Sequence, residues 1–348
     1  MYSTHEQYMN RCLQLAIKGR ATVKPNPMVG SVIVLDNKII GEGYHRKYGE
    51  AHAEVNAINS VEDQSLLKDA TLYVNLEPCA HHGKTPPCSD LIVEKNIKRV
   101  VIGCIDSFAK VAGKGIEKMR NNGVEVIVGI LEKESLELNK AFFNFHSNKR
   151  PYIILKWAQT TDGYIDINRK QDDAIGINWI THPVLRMLVH KWRSEESAIL
   201  IGNGTLLNDN PQLDTREWAG RNPLRILLSI DKKLNTDYKL LDGTTNTIVF
   251  SNSEDLEIKN TEFISIKNNT EAIEQVLEEL YTRDIQSLIV EGGKATLQSF
   301  IDKNLWDEAR VLIGRKTFGD GLLAPTISIK HSASYSILDD TILQYHNL

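Results

Sequence analysis

Residues 75–90, NLEPCAHHGKTPPCSD, put two cysteines, two histidines and three prolines into sixteen positions. Thiols and imidazoles this concentrated need a shared metal or a dense set of partners, so the stretch limits what the chain around it can become. Only four cysteines occur in 348 residues, at Cys12, Cys79, Cys88 and Cys104. That is no disulfide framework, and clustered thiols in a reducing compartment are more often ligands or catalysts. Cys12 and Cys104 lie among apolar neighbours and are expected in the core.

The partner of this stretch is HAEVNAI, where His52 and Glu54 stand two apart at an expected helix start. One imidazole and two thiolates suit Zn2+, whose catalytic sites use three protein ligands and leave the fourth position to water. Bound zinc acidifies that water, and a nearby carboxylate can carry its protons. His52, Cys79 and Cys88 are therefore candidate ligands and Glu54 the candidate shuttle. Residues two apart on a helix do not share a face, so Glu54 reaches the ligand water from the side instead of ligating. The alternative is a closed structural clip with His81 or His82 as fourth ligand. A clip needs neither Glu54 nor the upstream loop KPNPMVG, so the open, catalytic reading is preferred.

The length predicts two domains, each able to bury a core. With 25% charged residues, 41% hydrophobic residues and a formal net charge of −4, the composition is that of a globular protein with no general attraction to nucleic acid. The first twenty residues lack the pattern of a signal peptide, and no apolar run approaches a membrane span. A cytoplasmic protein is expected, and a homodimer is the commonest assembly for one.

Met9, Cys12, Leu13, Ala16 and Ile17 fall at helical spacing, predicting a first helix with one buried face. SVIVLDNKIIGEGYH reads as two strands about an Asp36-Asn37 turn, followed by a helix from His52. Strands are predicted at ATLYVNLEP, RVVIGCID and VEVIVGIL, with helices near 89–95, 114–122 and 132–146. This alternation argues for an α/β sheet with helices on both faces. The polar run HSNKRP closes on Pro151, dividing the chain into domains 1–147 and 148–348. The second domain restarts the pattern, with strands at 152–157, 198–201, 224–230, 247–250, 287–290 and 309–313 and helices near 181–195, 270–282 and 294–303. His5 and His190 are read as residues without a site role.

A zinc site of one His and two Cys with an HxE motif is the signature of the base deaminases, whose second element is PCxxC. Here eight residues separate Cys79 from Cys88. PNPMVG, GEGYH, HAEVNAI and LEPCAHHGKTPPC together resemble the bifunctional deaminase/reductase family of riboflavin biosynthesis, which the long loop separates from other deaminases. The resemblance implies a cytidine-deaminase-like three-layer domain acting on a small-molecule pyrimidine ribosyl phosphate, 2,5-diamino-6-ribosylamino-4(3H)-pyrimidinone 5′-phosphate. Water replaces the 2-amino group and ammonia leaves. It implies zinc on His52, Cys79 and Cys88, proton transfer by Glu54, and a pocket lined by Asn26, His45, His81, Lys84 and Thr85. From the residues alone, Asn26 between two prolines reads as a turn.

PYIILKWAQTTDG, NWIT, AILIGNGTLLNDNPQLDTR and IVEGGKATLQSF resemble the reductase half of the same family, implying a dihydrofolate-reductase-like α/β domain. No GxGxxG follows a strand, which disfavours a Rossmann domain. VEGGK ends a strand in paired glycines before a helix, a turn that can offer backbone N–H groups to a phosphate. The resemblance implies NADPH, contacted by Ala158, Trp179, Thr205, Asp209, Gly293, Lys294, Ala295, Thr296, Leu297, Gln298 and Ser299. It puts Ile177, Arg193, Leu213, Arg216 and Glu291 around the substrate, whose ribosyl group is reduced to ribityl. The two arginines suit a phosphate through forked hydrogen bonds, and Glu291 is a location-based candidate for the proton donor. The half departs from the family pattern where TTDGYID replaces an SLDG-basic run, Ile177 replaces a Ser, NDNP replaces ADDP, and the 165–176 loop is longer. Two other readings remain: a different nucleobase or nucleoside deaminase with an unrelated second domain, and a zinc-stabilised nucleotide-binding regulator without turnover.

Overall fold

The computed structural model describes residues 3–81, 86–106, 113–170, 174–230, 234, 236–252, 256–267 and 269–347. The chain divides into two compact units, Met1–Lys149 and Arg150–Leu348. A cut at 147 would clip the last turn of the helix Lys140–Asn148, which ends where Lys149 takes a left-handed conformation (φ 52°).

In the first unit, helix α1 (Thr4–Ala16) starts from a capping box in which Ser3 and Glu6 bond each other's backbone. β1 (Gly30–Leu35) and β2 (Lys38–Tyr44) form an antiparallel hairpin, with Asp36 and Asn37 at φ 49° and 60°. Positive φ at both central residues marks the primed turn that matches strand twist. Then follow α2 (Ala53–Asn59), β3 (Thr71–Leu76), α3 (Cys88–Glu94), β4 (Arg99–Cys104), α4 (Lys114–Asn121), β5 (Glu125–Val128), α5 (Glu132–Leu138) and α6 (Lys140–Asn148). The sheet runs β2-β1-β3-β4-β5. Alternate residues of each strand face opposite layers. Ile33, Leu72, Val74, Val100 and Ile102 pack with α2, α3 and α4 through Ala57, Ile58, Ile92, Ile116 and Met119. Val32, Val34, Tyr73 and Val101 pack with α1 through Met9, Cys12 and Leu15.

Two sequence expectations change. Ile17 lies past the end of α1 and is 48% exposed. The helix predicted over 132–146 is two helices broken at Asn139, whose buried amide accepts from Met28 N (2.8 Å) and donates to Met28 O (2.9 Å). Asn75 adds a second clasp, donating to Met28 O (3.1 Å) and accepting from Gly30 N (2.8 Å). The KPNPMVG loop is thus held from both sides.

The second unit contains β6 (Tyr152–Thr160), β7 (Tyr164–Asp166), α7 (Pro183–Glu195), β8 (Ala198–Gly202), α8 (Asn203–Asp209), β9 (Leu224–Ser229), β10 (Thr247–Ser251), β11 (Thr261–Ile264), α9 (Ala272–Thr282), β12 (Ser287–Val290), α10 (Lys294–Asp302), β13 (Glu308–Gly314), β14 (Leu322–Leu323), β15 (Ala333–Ile337) and β16 (Asp340–His346). Among the described residues, nine strands form one sheet in the order β11-β10-β9-β8-β12-β6-β13-β16-β15. It is parallel from β11 to β13 and antiparallel beyond. Ile153, Leu155 and Trp157 of β6 pack against α9 and α10, while Leu312 and Ile342 pack against Leu185 and Val189 of α7. β12 inserts between β8 and β6, so the chain leaves neighbouring strands in opposite directions. A crevice forms at such a switch point, outside the carboxyl ends of the strands.

Candidate functional site

In the first unit two helix starts converge. His52 is the N-cap of α2, with Glu54 in its first turn, and Cys88 opens α3 behind Pro87. Cys79 follows the end of β3. Two glycines of GEGYH let α2 sit on β2: a Cβ at Gly41 would lie 2.6 Å from Val61 Cγ2, and one at Gly43 would overlap the Ala57 backbone nitrogen. The three donor atoms meet, with Cys88 Sγ 3.3 Å and Cys79 Sγ 3.6 Å from His52 Nδ1. Tetrahedral bonds of about 2.0 Å to nitrogen and about 2.3 Å to sulfur place those atoms about 3.5 Å apart, so the set fits zinc. Among the described residues, His52, Cys79 and Cys88 are the whole of this metal-binding group.

The Cys79 sulfur accepts from Cys88 and faces His52, which holds its thiol well below the usual range, whereas Cys88 is held well above it. Glu54 is 3% exposed, and that burial pushes its carboxyl up to about 7. With its ring centroid 5.3 Å from that of His52, the buried His45 has Nδ1 3.1 Å from Ala51 O and Nε2 3.0 Å from Asn26 Nδ2. A carbonyl only accepts, so Nδ1 carries the proton and Nε2 accepts from the Asn26 amide. Burial also lowers the His45 pKa, which keeps the ring neutral. Asn26 is therefore more than a turn residue. His81 is exposed, while Lys84 and Thr85 lie outside the described residues.

In the second unit a cavity of about 650 Å³ opens at the switch point. Ala158, Ile177, Trp179, Thr205, Asp209, Leu213 and Arg216 line it, and so do Arg193, Glu291 and residues 293–298. Ser299 is not in the lining; its hydroxyl bonds Ala295 O (2.8 Å), one turn back in α10. The first intrahelical bond of α10 is Leu297 N to Gly293 O (3.0 Å). The amides of residues 294–296 precede it, at the helix's positive end.

Glu291 is the centre of a buried ionic cluster. Arg193 donates to it from Nε and Nη2, both at 2.7 Å, and Lys156 Nζ at 3.3 Å. Burial alone would raise the carboxyl, but the two cations outweigh it and hold Glu291 at about 2. An ionised Glu291 accepts hydrogen bonds in this cluster, which gives no support to the location-based suggestion of a proton donor. The fork of Arg193 is already closed on Glu291, and its Nη1 holds Asp214 O (3.2 Å). Arg216 is 43% exposed at its side chain and pairs with the Asp214 carboxylate.

Two family descriptions match the chain: "Cytidine and deoxycytidylate deaminase zinc-binding region" over residues 2–104 and "RibD C-terminal domain" over residues 151–332. The riboflavin biosynthesis protein RibD of Aquifex aeolicus (strain VF5) is 39% identical over 333 residues, covering 93% of this chain and 91% of that protein. The chain belongs to the RibD family. The RibD of Bacillus amyloliquefaciens is 38% identical over 356 residues, covering 98% of this chain and 92% of that protein. Among solved structures, a diaminohydroxyphosphoribosylaminopyrimidine deaminase/5-amino-6-(5-phosphoribosylamino)uracil reductase from Thermotoga maritima matches with a TM-score of 0.89 at 39% identity over 99% of both chains. Acinetobacter baumannii RibD matches with a TM-score of 0.85 at 29% identity, again over 99% of both.

Membership of the RibD family makes the chain a bifunctional enzyme of riboflavin biosynthesis. A cytidine-deaminase-like domain precedes a reductase domain of dihydrofolate-reductase-like fold. The alternative with an unrelated second domain is thereby overturned. No helix among the described residues is long and apolar enough to cross a membrane. Among the cavity residues that sequence reasoning missed are Lys156, Asp166, Asn178, Arg186 and His190. His190, read as having no site role, is 3% exposed and lines the cavity. It shares a face of α7 with Arg186 and Arg193, four and three residues away, a spacing that could have flagged it.

Proposed function

We propose that the chain deaminates 2,5-diamino-6-ribosylamino-4(3H)-pyrimidinone 5′-phosphate at its first domain and reduces the product with NADPH at its second. The meeting of His52, Cys79 and Cys88 beside the buried Glu54 is the observation that carries the reading. Those three residues would hold Zn2+, which supplies Lewis-acid activation of water. Glu54, with a pKa of about 7, can take a proton from the attacking water and return it to the leaving amine. The C2–N bond breaks, a C2–O bond forms and ammonia leaves. His45 and Asn26, bonded to each other, would line the pyrimidine pocket. By the family resemblance, His81, Lys84 and Thr85 would belong to the same pyrimidine and phosphate pocket.

In the reductase domain NADPH would bind along Ala158, Trp179, Thr205 and Asp209, with its phosphates at the start of α10 near residues 293–299. Leu213, Ile177, Arg216 and the Arg193–Glu291 pair would enclose the substrate. NADPH bound there would supply a hydride for C1′ of the open-chain imine, and a side chain of the pocket would supply the proton that the nitrogen takes. Lys156 is the proton donor this geometry supports, because it lines the cavity and burial lowers its pKa. All four cysteines are free, which supports a reducing, cytoplasmic setting, and a homodimer is the expected assembly.

A coupled assay tests the reading. Zinc-loaded enzyme given the diaminopyrimidine ribosyl phosphate should release one ammonia per substrate, then oxidise one NADPH per substrate. Ammonia release that persists after complete zinc removal would refute the deaminase half. A deaminated product that consumes no NADPH would refute the other.

A further inference from the structure

Within the 165–176 loop, the described residues 165–170 and 174–176 are tied together by one guanidinium. Arg169 donates from Nε to Asp166 Oδ2 (2.6 Å) and from Nη2 to Asp166 Oδ1 (3.3 Å), Asp209 Oδ1 (3.2 Å) and Gly176 O (2.7 Å). Its Nη1 reaches Ala174 O (3.3 Å) and Asn208 O (3.2 Å). One planar head thus joins three stretches: the end of β7, the segment before Trp179, and the carboxyl end of α8. Its side chain keeps 14% exposure, so these bonds are largely withdrawn from water.

Three of these partners, Asp166, Asn208 and Asp209, line the cavity, and so do Asn178 and Trp179. Asp166 Oδ1 also accepts from Asn178 Nδ2 (2.7 Å), so Arg169 acts through Asp166 on the residue next to Trp179. Gly176 N donates to Asn208 O (2.9 Å), a second tie between the segment and α8. A lysine could supply the charge but not this fork, whose fixed geometry serves two carboxylates and three carbonyls at once.

We propose that Arg169 is a positioning residue of the reductase pocket: it fixes Asp209 and the Asn178–Trp179 wall in the arrangement that receives the dinucleotide. Without the guanidinium, the Asp166 and Asp209 carboxylates would lose the cation they share, and the Ala174 and Gly176 carbonyls would lose that donor. Burial already pushes Asp209 up to about 6, against the opposing pull of Arg169. The inference rests on the reading that this cavity binds NADPH.

The test uses full-length zinc-loaded enzyme as wild type, Arg169→Met and Arg169→Lys. NADPH affinity is measured by fluorescence titration, and amide exchange over residues 174–179 is followed without nucleotide. Arg169→Met should weaken NADPH binding tenfold or more and raise the KM for NADPH more than it lowers kcat. Exchange at 174–179 should quicken. Ammonia release, which reports a folded chain, should hold, and Arg169→Lys should fall between the other two. Arg169→Met that binds NADPH like wild type, or keeps wild-type protection at 174–179, overturns the proposal. If the wild type itself binds no NADPH, the cavity assignment fails, and the exchange arm alone still decides whether Arg169 holds the wall.

Discussion

Replacing Glu291 with Gln keeps the side chain's shape and removes its charge, leaving Arg193 and Lys156 in a site where Glu291 is only 6% exposed. Moving a carboxyl from its ordinary 4.5 to about 2 corresponds to roughly 3 kcal/mol at about 1.4 kcal/mol per tenfold step. Breaking a buried ion pair by removing one partner costs about 3–5 kcal/mol, so two routes agree in scale. For a domain of this size each kcal/mol lowers Tm by about 2–4 °C, giving an expected fall of roughly 6–12 °C for Glu291→Gln. Scanning calorimetry would follow the transition that NADPH raises. The folded-state pKa lies below the unfolded one, so this stabilisation is fully present above pH 4.5 and is lost as pH falls toward 2. The gap between variant and wild type should therefore narrow on acidification from pH 6 to pH 3. A gap below about 1 °C at pH 6, or one that widens in acid, would refute the ionised cluster.

Other perturbations probe the deaminase domain. Glu54→Gln should retain zinc, measured by elemental analysis, and lose about 10²–10⁴-fold in ammonia release while NADPH oxidation of deaminated substrate continues. Asn139→Ala removes two hydrogen bonds to Met28; about 1–3 kcal/mol should go from stability, read by urea unfolding, and KM for the pyrimidine should rise as the 24–30 loop loosens. Gly43→Ala drives a methyl into the backbone of α2. About 1–3 kcal/mol of stability should be lost together with deaminase activity, and an unchanged urea midpoint would show that α2 does not need that close approach.

The deaminase ligands were legible because His, Cys and Glu in short motifs at helix starts suit little besides a metal centre, and the structure brings them together. The helix break at Asn139 was not legible, since its cause is a bond to Met28, 111 residues away. The same holds for Arg193, whose fork closes on a carboxylate 98 residues on. Lys156 sits in a periodic strand pattern, and only sheet order tells which face meets the cavity. β15 escaped notice because ASYSI is a largely exposed edge strand without an apolar run. β7 is three residues long, too short for alternation to register.

Zinc absorption spectroscopy on the purified, active enzyme tests the central claim most directly. Two sulfur ligands at about 2.3 Å and two nitrogen or oxygen ligands at about 2.0 Å are expected. One light ligand should exchange when a substrate analogue binds, and one should be an imidazole. A first shell closed by four protein donors and unaltered by the analogue would contradict the account.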